Sequence, residues 1–263
     1  MIISNKSINL NRVLVYHKID PKPEVGLTCL HPRQFSQQIK FLAKEGFRFV
    51  TLSELIKSEN REPHIIAITF DDGYQDVYEY AFPILQEYQA PATVFIISNY
   101  IGKFNTWDVN LGWLYYQHLD EPSIRNLISA GWEIGSHGKT HRALQGMTRT
   151  AIECELVQSK QLLEEMFDQP INFFAMPFGN VKEMIRELAS NAGYRGICGF
   201  YPFKYLRHYC PSDIVPRLAV YRTDSLRAIS NKLSSGRELL FEVTKQNLIN
   251  FCSNATIMAN SLR

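Results

Sequence analysis

Residues 65–73, Ile-Ile-Ala-Ile-Thr-Phe-Asp-Asp-Gly, decide how the chain is read. Ile65, Ile66, Ile68 and Phe70 form a short β-rich apolar run, which marks a strand buried on both faces rather than one half-exposed. Gly73 ends it. Immediately before that glycine stand two acids, Asp71 and Asp72, like charge beside like charge at the lip of the core.

Outward from this strand, similar apolar runs alternate with helical patterns. Residues 12–17, 92–98, 132–137, 171–177 and 194–200 read as strands, as does the run Ile214–Tyr221. Between them, residues 31–47 place Phe35, Ile39 and Leu42 at helical spacing, with Pro32 in the first turn and Gly46 at the C-cap. Residues 74–88 read as a helix kinked or begun again at Pro83, and residues 121–131 as another. The longest amphipathic stretch, 148–167, offers Ile152, Leu156, Leu162, Leu163 and Phe167 to its buried side. Residues 180–193 make a further helix, and two more, within 224–258, close the chain. Strand–helix alternation predicts parallel strands under helices. With roughly seven such units the expected fold is α/β, a distorted (β/α) barrel in a single domain, residues 1–263. In such barrels the chemistry sits at the C-terminal ends of the strands.

Composition narrows the classes. The chain has 263 residues, 45% of them hydrophobic, and a formal net charge of +2 without a dense basic stripe, so no nucleic-acid partner is expected. Five widely spaced cysteines (29, 154, 198, 210, 252) form neither a disulfide framework nor a zinc ribbon and read as free thiols, most of them buried. No segment approaches a membrane span, and the N-terminal apolar run is too short for a signal peptide. A cytoplasmic location is the expectation.

Three strand ends carry polar side chains: Thr69–Gly73, Gly135–His141 and Ala175–Asn180. His137 and His141 stand four apart, a spacing that brings two side chains onto one face of a helical turn. Two neutral imidazoles with one carboxylate make a facial ligand set for a divalent ion. Alone, the same histidines serve equally as loop caps, and Asp-Asp-Gly is a common turn composition. Together they suggest a division of labour: one adjacent acid ligates the ion, while the other stays free to take a proton from water.

The strand ending in Thr-Phe-Asp-Asp-Gly, followed by Ser-His-Gly-Lys-Thr-His (136–141), resembles the polysaccharide deacetylases, carbohydrate esterase family 4 with its NodB-like homology domain. The stretches VLVYHKI, PATVFI and GWEIGSHGKTH extend the resemblance over about residues 12–220. It implies Asp71 as general base and Asp72, His137 and His141 as ligands of a divalent metal, zinc first, with cobalt or nickel as alternatives. Gly138 stands where the family has Ser or Thr. The implied reaction is removal of N-acetyl groups from an amino-sugar glycan or oligosaccharide, with the backbone N–H of Tyr74 near the oxyanion. An O-acetyl esterase, or a catalytically weak carbohydrate-binding relative, remains the alternative.

Two departures matter. The family's Arg-x-Pro-[Phe/Tyr] motif appears as Ala175-Met176-Pro177-Phe178, a form found in the exopolysaccharide deacetylase branch, and the late histidine that serves as acid is missing. His17, in a Tyr-His that the same branch carries, is the candidate acid or oxyanion partner. Arg217 is the candidate cation beside Asp71. Pro177 and Phe178 are expected at the substrate, together with Trp107 and Asp108 from the aromatic stretch 105–117, whose rings suit a sugar face or, equally, core packing.

Overall fold

The computed structural model describes residues 12–22, 24, 26–57, 64–106, 115–206 and 210–261, from residue 252 onward as backbone alone. The strands are β1 (Val13–Tyr16), β2 (Lys18–Ile19), β3 (Cys29–Leu30), β4 (Arg48–Val50), β5 (Ile65–Phe70), β6 (Thr93–Ile96), β7 (Glu133–Ser136), β8 (Phe173–Ala175), β9 (Gly196–Phe200) and β10 (Ile214–Ala219). The helices are α1 (Pro32–Lys44), α2 (Leu52–Lys57), α3 (Phe82–Gln86), α4 (Glu121–Ser129), α5 (Arg149–Phe167), α6 (Glu183–Asn191), α7 (Leu226–Leu233) and α8 (Arg237–Ser261).

Among the described residues one sheet runs β1-β10-β9-β8-β7-β6-β5-β4, and β1 also pairs with β5. That pairing, Val13 opposite Ala67 through Tyr16 opposite Phe70, closes seven parallel strands into a barrel. β4 lies beside the first half of β5, outside the ring. β2 and β3 form a separate two-stranded ribbon.

Because successive strand residues face opposite sides, the barrel sorts its side chains by parity. Leu14, Tyr16, Ile66, Ile68, Phe70, Val94, Ile96, Phe174, Ile197 and Leu218 join helix residues in the larger apolar cluster. Val13, Ala67, Phe95, Phe173, Ala175, Cys198 and Val215 belong, with Leu52 of α2, to a smaller one that lies largely inside the ring. The ring is narrow. A Cβ on Gly135 would come within 2.4 Å of the Phe95 ring, so the strand pairing here depends on an absent side chain.

The helices follow the expected order with local differences. Residues 77–81 form one wide π-turn before α3 begins at Phe82, and Pro83, which has no N–H to give, sits in the first turn. In α5 the buried side is Ile152, Glu155, Leu156, Ser159, Leu163 and Phe167. Leu162, expected among them, is 37% exposed, because the stripe advances 152-156-159-163-167 and passes it by. Cys29, Cys198 and Cys210 are buried as free thiols, and Cys154 is exposed. Among the described residues no helix is long and apolar enough to cross a membrane.

The last two helices bear on the strands. Lys232 of α7 is fully buried between Asp224 (3.2 Å) and Glu242 of α8 (2.7 Å). Further along α8, Gln246 accepts from Ala219 N–H at 2.6 Å and donates to the Arg217 carbonyl at 3.3 Å. The C-terminal helix therefore holds β10 by its backbone.

Near the start of the barrel, Asp76 accepts a hydrogen bond from Ile19 N–H at 3.2 Å. Burial pushes its carboxyl up from 3.8 to about 8, against the opposing pull of that bond. A carboxyl raised on folding costs nothing where both states are protonated, and its full penalty appears above the folded value. The protein should lose stability as pH climbs from about 4 to about 8. Asp76→Asn should flatten that decline, gaining on the order of 5 kcal/mol over wild type at pH 8 and nothing at pH 4 in denaturant titrations.

Candidate active site

The inward parity of the strands assembles the site. One step beyond the inward residues Val15, Thr69 and Gly135 come His17, Asp71 and His137, at the C-terminal ends of β1, β5 and β7. Asp72 is out of phase and as a strand residue would face the helices. It reaches the same place because the backbone turns left-handed there, with φ 67° at Asp72 and 64° at Gly73. Gly73 also lies close against β6, where a Cβ would meet Ile96 Cδ1 at 2.8 Å.

Asp72 Oδ1 stands 3.2 Å from His137 Nε2 and 3.2 Å from His141 Nε2. All three groups are buried, and their ligand atoms lie within 4.8 Å of one another. The histidines do not share a helical face as their spacing suggested. They flank an irregular link in which Gly138 has φ 84°, and His141 itself is left-handed at φ 60°. These angles break the helical path and fold the second imidazole back onto the first, with ring centroids 4.8 Å apart.

The donor set fits a divalent cation. His137 Nδ1–H donates to the Ala175 carbonyl at 2.8 Å. In the neutral ring this leaves Nε2 a bare lone pair aimed at a carboxylate oxygen, an arrangement that needs a positive charge between the two. Ligands about 2.1 Å from a tetrahedrally bound zinc stand roughly 3.4 Å apart, close to the separations here. One carboxylate and two imidazoles suit zinc and its first-row neighbours. Burial works to raise the Asp72 carboxyl, yet the adjoining His137 and His141 imidazoles hold it well below the ordinary range. Burial lowers His141. It also opposes the charge on His137, which Asp71 and Asp72 nonetheless raise above the ordinary value.

Asp71 faces a different partner. Arg217, fully buried on β10, binds it through two parallel bonds: Nη1 to Oδ1 at 2.6 Å and Nη2 to Oδ2 at 2.7 Å. The guanidinium also reaches Thr69 Oγ1 at 3.3 Å and lies 5.1 Å from the Phe95 ring centroid. Burial would raise Asp71, but Arg217 followed by His137 brings it below the usual carboxyl value. The cation absent at Ala175 thus reaches Asp71 from another strand.

His17 is half-buried, and the charges of Asp72, Asp71, His137 and Arg217 all act on it; burial lowers its pKa overall. Among the described residues its buried Nδ1 has no hydrogen-bond partner. Phe178 sits at φ 61° with its ring edge-to-face on His141 at 5.1 Å, and Pro177 is buried beside it. The Tyr74 side chain is buried, its ring stacked 4.9 Å from His118 and its hydroxyl accepting from Asn105. Of the aromatic stretch, Tyr116 packs near Tyr74 and Tyr115 is 72% exposed. Trp107 and Asp108 lie outside the described residues.

Sequence reading overlooked His118. Its Nδ1–H donates to the Asp72 carbonyl at 2.8 Å, tying down the left-handed turn. Its spacing from the motifs carries no signal, since the contact spans 46 residues.

Comparison with known proteins agrees with this architecture. The family defined as polysaccharide deacetylase matches residues 58–197, more than half of the chain, and the chain belongs to that family. The poly-beta-1,6-N-acetyl-D-glucosamine N-deacetylase of Staphylococcus epidermidis is 29% identical over 162 residues, covering 57% of this chain and 54% of that one. The chain spans between 54% and 62% of the length of the curated relatives it matches. In fold it is similar to IcaB from Ammonifex degensii, with TM-score 0.70, 23% identity and coverage of 84% and 95%. It is similar also to the Streptococcus pyogenes deacetylase PplD, with TM-score 0.71, 20% identity and coverage of 84% and 97%.

Breaking the Asp71–Arg217 pair leaves a buried charge without compensation. Arg217→Met should cost about 3–5 kcal/mol in urea unfolding. Adding Asp71→Asn should restore part of that loss; a double variant no more stable than the single one would place the cost elsewhere.

Proposed function

We propose that the chain is a metal-dependent hydrolase that removes N-acetyl groups from an amino-sugar glycan or oligosaccharide. The observation that carries this reading is the separation of two adjacent buried carboxylates. Asp72 faces two imidazoles, and Asp71 is fastened to a guanidinium. A site for binding alone has no use for the second acid.

A divalent cation held by Asp72, His137 and His141 would supply Lewis acidity to the acetyl carbonyl and lower the pKa of water. The protein's own groups supply the rest. Asp71, kept anionic by Arg217, takes a proton from the attacking water through a lone pair that the guanidinium leaves unused. An amine leaves poorly as an anion, so its nitrogen must receive a proton as the C–N bond breaks. His17, at the end of the strand paired with that of Asp71, is the group assigned to deliver it. Backbone N–H groups, that of Tyr74 among them, are the proposed partners of the oxyanion. Pro177 and Phe178 would wall the acetyl end. Trp107 and Asp108 enter as sugar contacts on the sequence reading alone.

The substrate class rests on likeness: a relative at 29% identity is named for poly-beta-1,6-N-acetyl-D-glucosamine. Zinc is the proposed ion, with cobalt or nickel able to replace it.

Acetate release from N-acetylated glucosamine oligomers by the metal-loaded protein tests the proposal. Asp71→Asn should lower kcat by about 10²–10⁴-fold and His17→Ala by at least about 10²-fold, both with zinc still bound. EDTA should abolish turnover, and zinc should return it. Cleavage of O-acetyl esters alone would redirect the reading to an esterase. Oligomer binding without turnover of either substrate would leave a binding protein.

A further inference from the structure

The link Gly138-Lys139-Thr140 joins the two imidazoles and belongs to no helix or strand. It is held from both sides. Its carbonyls accept from the far end of β6: Ser98 N–H to Gly138 and Asn99 N–H to Lys139, each at 3.1 Å. The donors of Lys139 and Thr140 in its backbone converge on one side chain, Glu155 of α5, which is 6% exposed. Glu155 Oε2 accepts from Lys139 N–H at 2.8 Å and from Thr140 N–H at 2.9 Å, and Oε1 accepts the Thr140 hydroxyl.

We propose that Glu155 is a positioning residue for the metal ligands, resting on the reading of Asp72, His137 and His141 as a cation site. Its carboxylate sets the path of the link, so that the chain enters His141 left-handed and brings Nε2 to 3.2 Å from Asp72. Gly138 and Glu155 form one device. Glycine takes φ 84° without strain, and a Cβ there would stand 3.4 Å from Glu155 Oε2. The side chain missing at position 138 is thus matched by a buried carboxylate that supplies polar contacts to the link from another element.

The next turn of α5 repeats the arrangement. Ser159 accepts from Ser136 Oγ at 2.8 Å, and Ser136 Oγ in turn accepts from Gly138 N–H at 3.1 Å. Residues four apart on a helix share a face, so one edge of α5 supports both the strand end that carries His137 and the link that leads to His141. Ile152, Leu156, Leu163 and Phe167 fix the helix to the barrel. The metal geometry is in this way referred to the core rather than left to a loop. Supporting groups of this kind typically change metal affinity by 10–100-fold when lost.

The test measures zinc binding to the metal-free full chain by competition with a chromophoric chelator. Folding is checked by near-ultraviolet circular dichroism in EDTA. Glu155→Met keeps the length but accepts nothing and should weaken zinc binding about 10–100-fold. Glu155→Gln should recover it to within about threefold, because the amide oxygen replaces Oε2 and the amide N–H can donate to the Thr140 hydroxyl. With cobalt in place of zinc, the visible absorption of Glu155→Met should shift from the wild-type band, and that of Glu155→Gln should not.

Wild-type affinity and spectrum in folded Glu155→Met would overturn the proposal, as would Glu155→Gln behaving like Glu155→Met. If Glu155→Met does not fold, Thr140→Ala decides, since it removes only the hydroxyl bond. Weakened zinc binding supports the role of Glu155, and unchanged binding overturns it. Equal zinc binding by wild type and Asp72→Asn would instead overturn the cation site itself, and this proposal with it.

Discussion

Neighbouring residues of a strand face opposite ways, yet Asp71 and Asp72 both reach one buried site. The fold reconciles these facts by ending β5 between them and turning the backbone left-handed at Asp72. Such a conformation costs a non-glycine residue on the order of 1 kcal/mol or more and persists only where its surroundings over-determine it. Here His118 holds the Asp72 carbonyl, Gly73 takes the next left-handed position against β6, and the two imidazoles occupy the side chain. The other constraint is electrostatic. Two buried carboxylates side by side need separate counter-charges, and the barrel provides them from different directions: Arg217 from β10 for one, the imidazole pair for the other.

That division gives the site its chemical asymmetry. Asp71 is locked bidentately against a residue that cannot lose its proton in water's pH range, so its orientation does not depend on what occupies the ligand cluster. Among the described residues Asp72 has no guanidinium or ammonium partner and faces the nitrogens of two imidazoles. The two acids are chemically identical in sequence, and their environments alone assign them different work.

Much of this was legible before any coordinates. Strand–helix alternation carried the barrel, because parallel strands need crossovers and most crossovers here are recognisable helical stretches; between β9 and β10 the described residues hold only the short turn Phe203–Leu206. The parity that places His17, Asp71 and His137 together is a property of strands and can be read from strand ends. The left-handed residues were not legible: nothing in Asp72 or His141 announces a positive φ, and four-residue spacing suggested a helical face that the chain does not form. Leu162 misled because a helix 19 residues long has more apolar side chains than its stripe can bury. His118 and Glu155 escaped notice because each acts through backbone groups of a distant segment, a contact that leaves no motif.

The segment that matches the family, residues 58–197, contains Asp71, Asp72, His137 and His141. It leaves out β1 with His17 and β10 with Arg217, the two strands through which the ring closes. β10 in turn is gripped along its backbone by Gln246, 29 residues after Arg217. The smallest piece able to keep Asp71 in its clasp therefore runs past residue 246, and a fragment cut at the borders of family likeness would carry the Asp72, His137 and His141 cluster in an open, unclosed sheet.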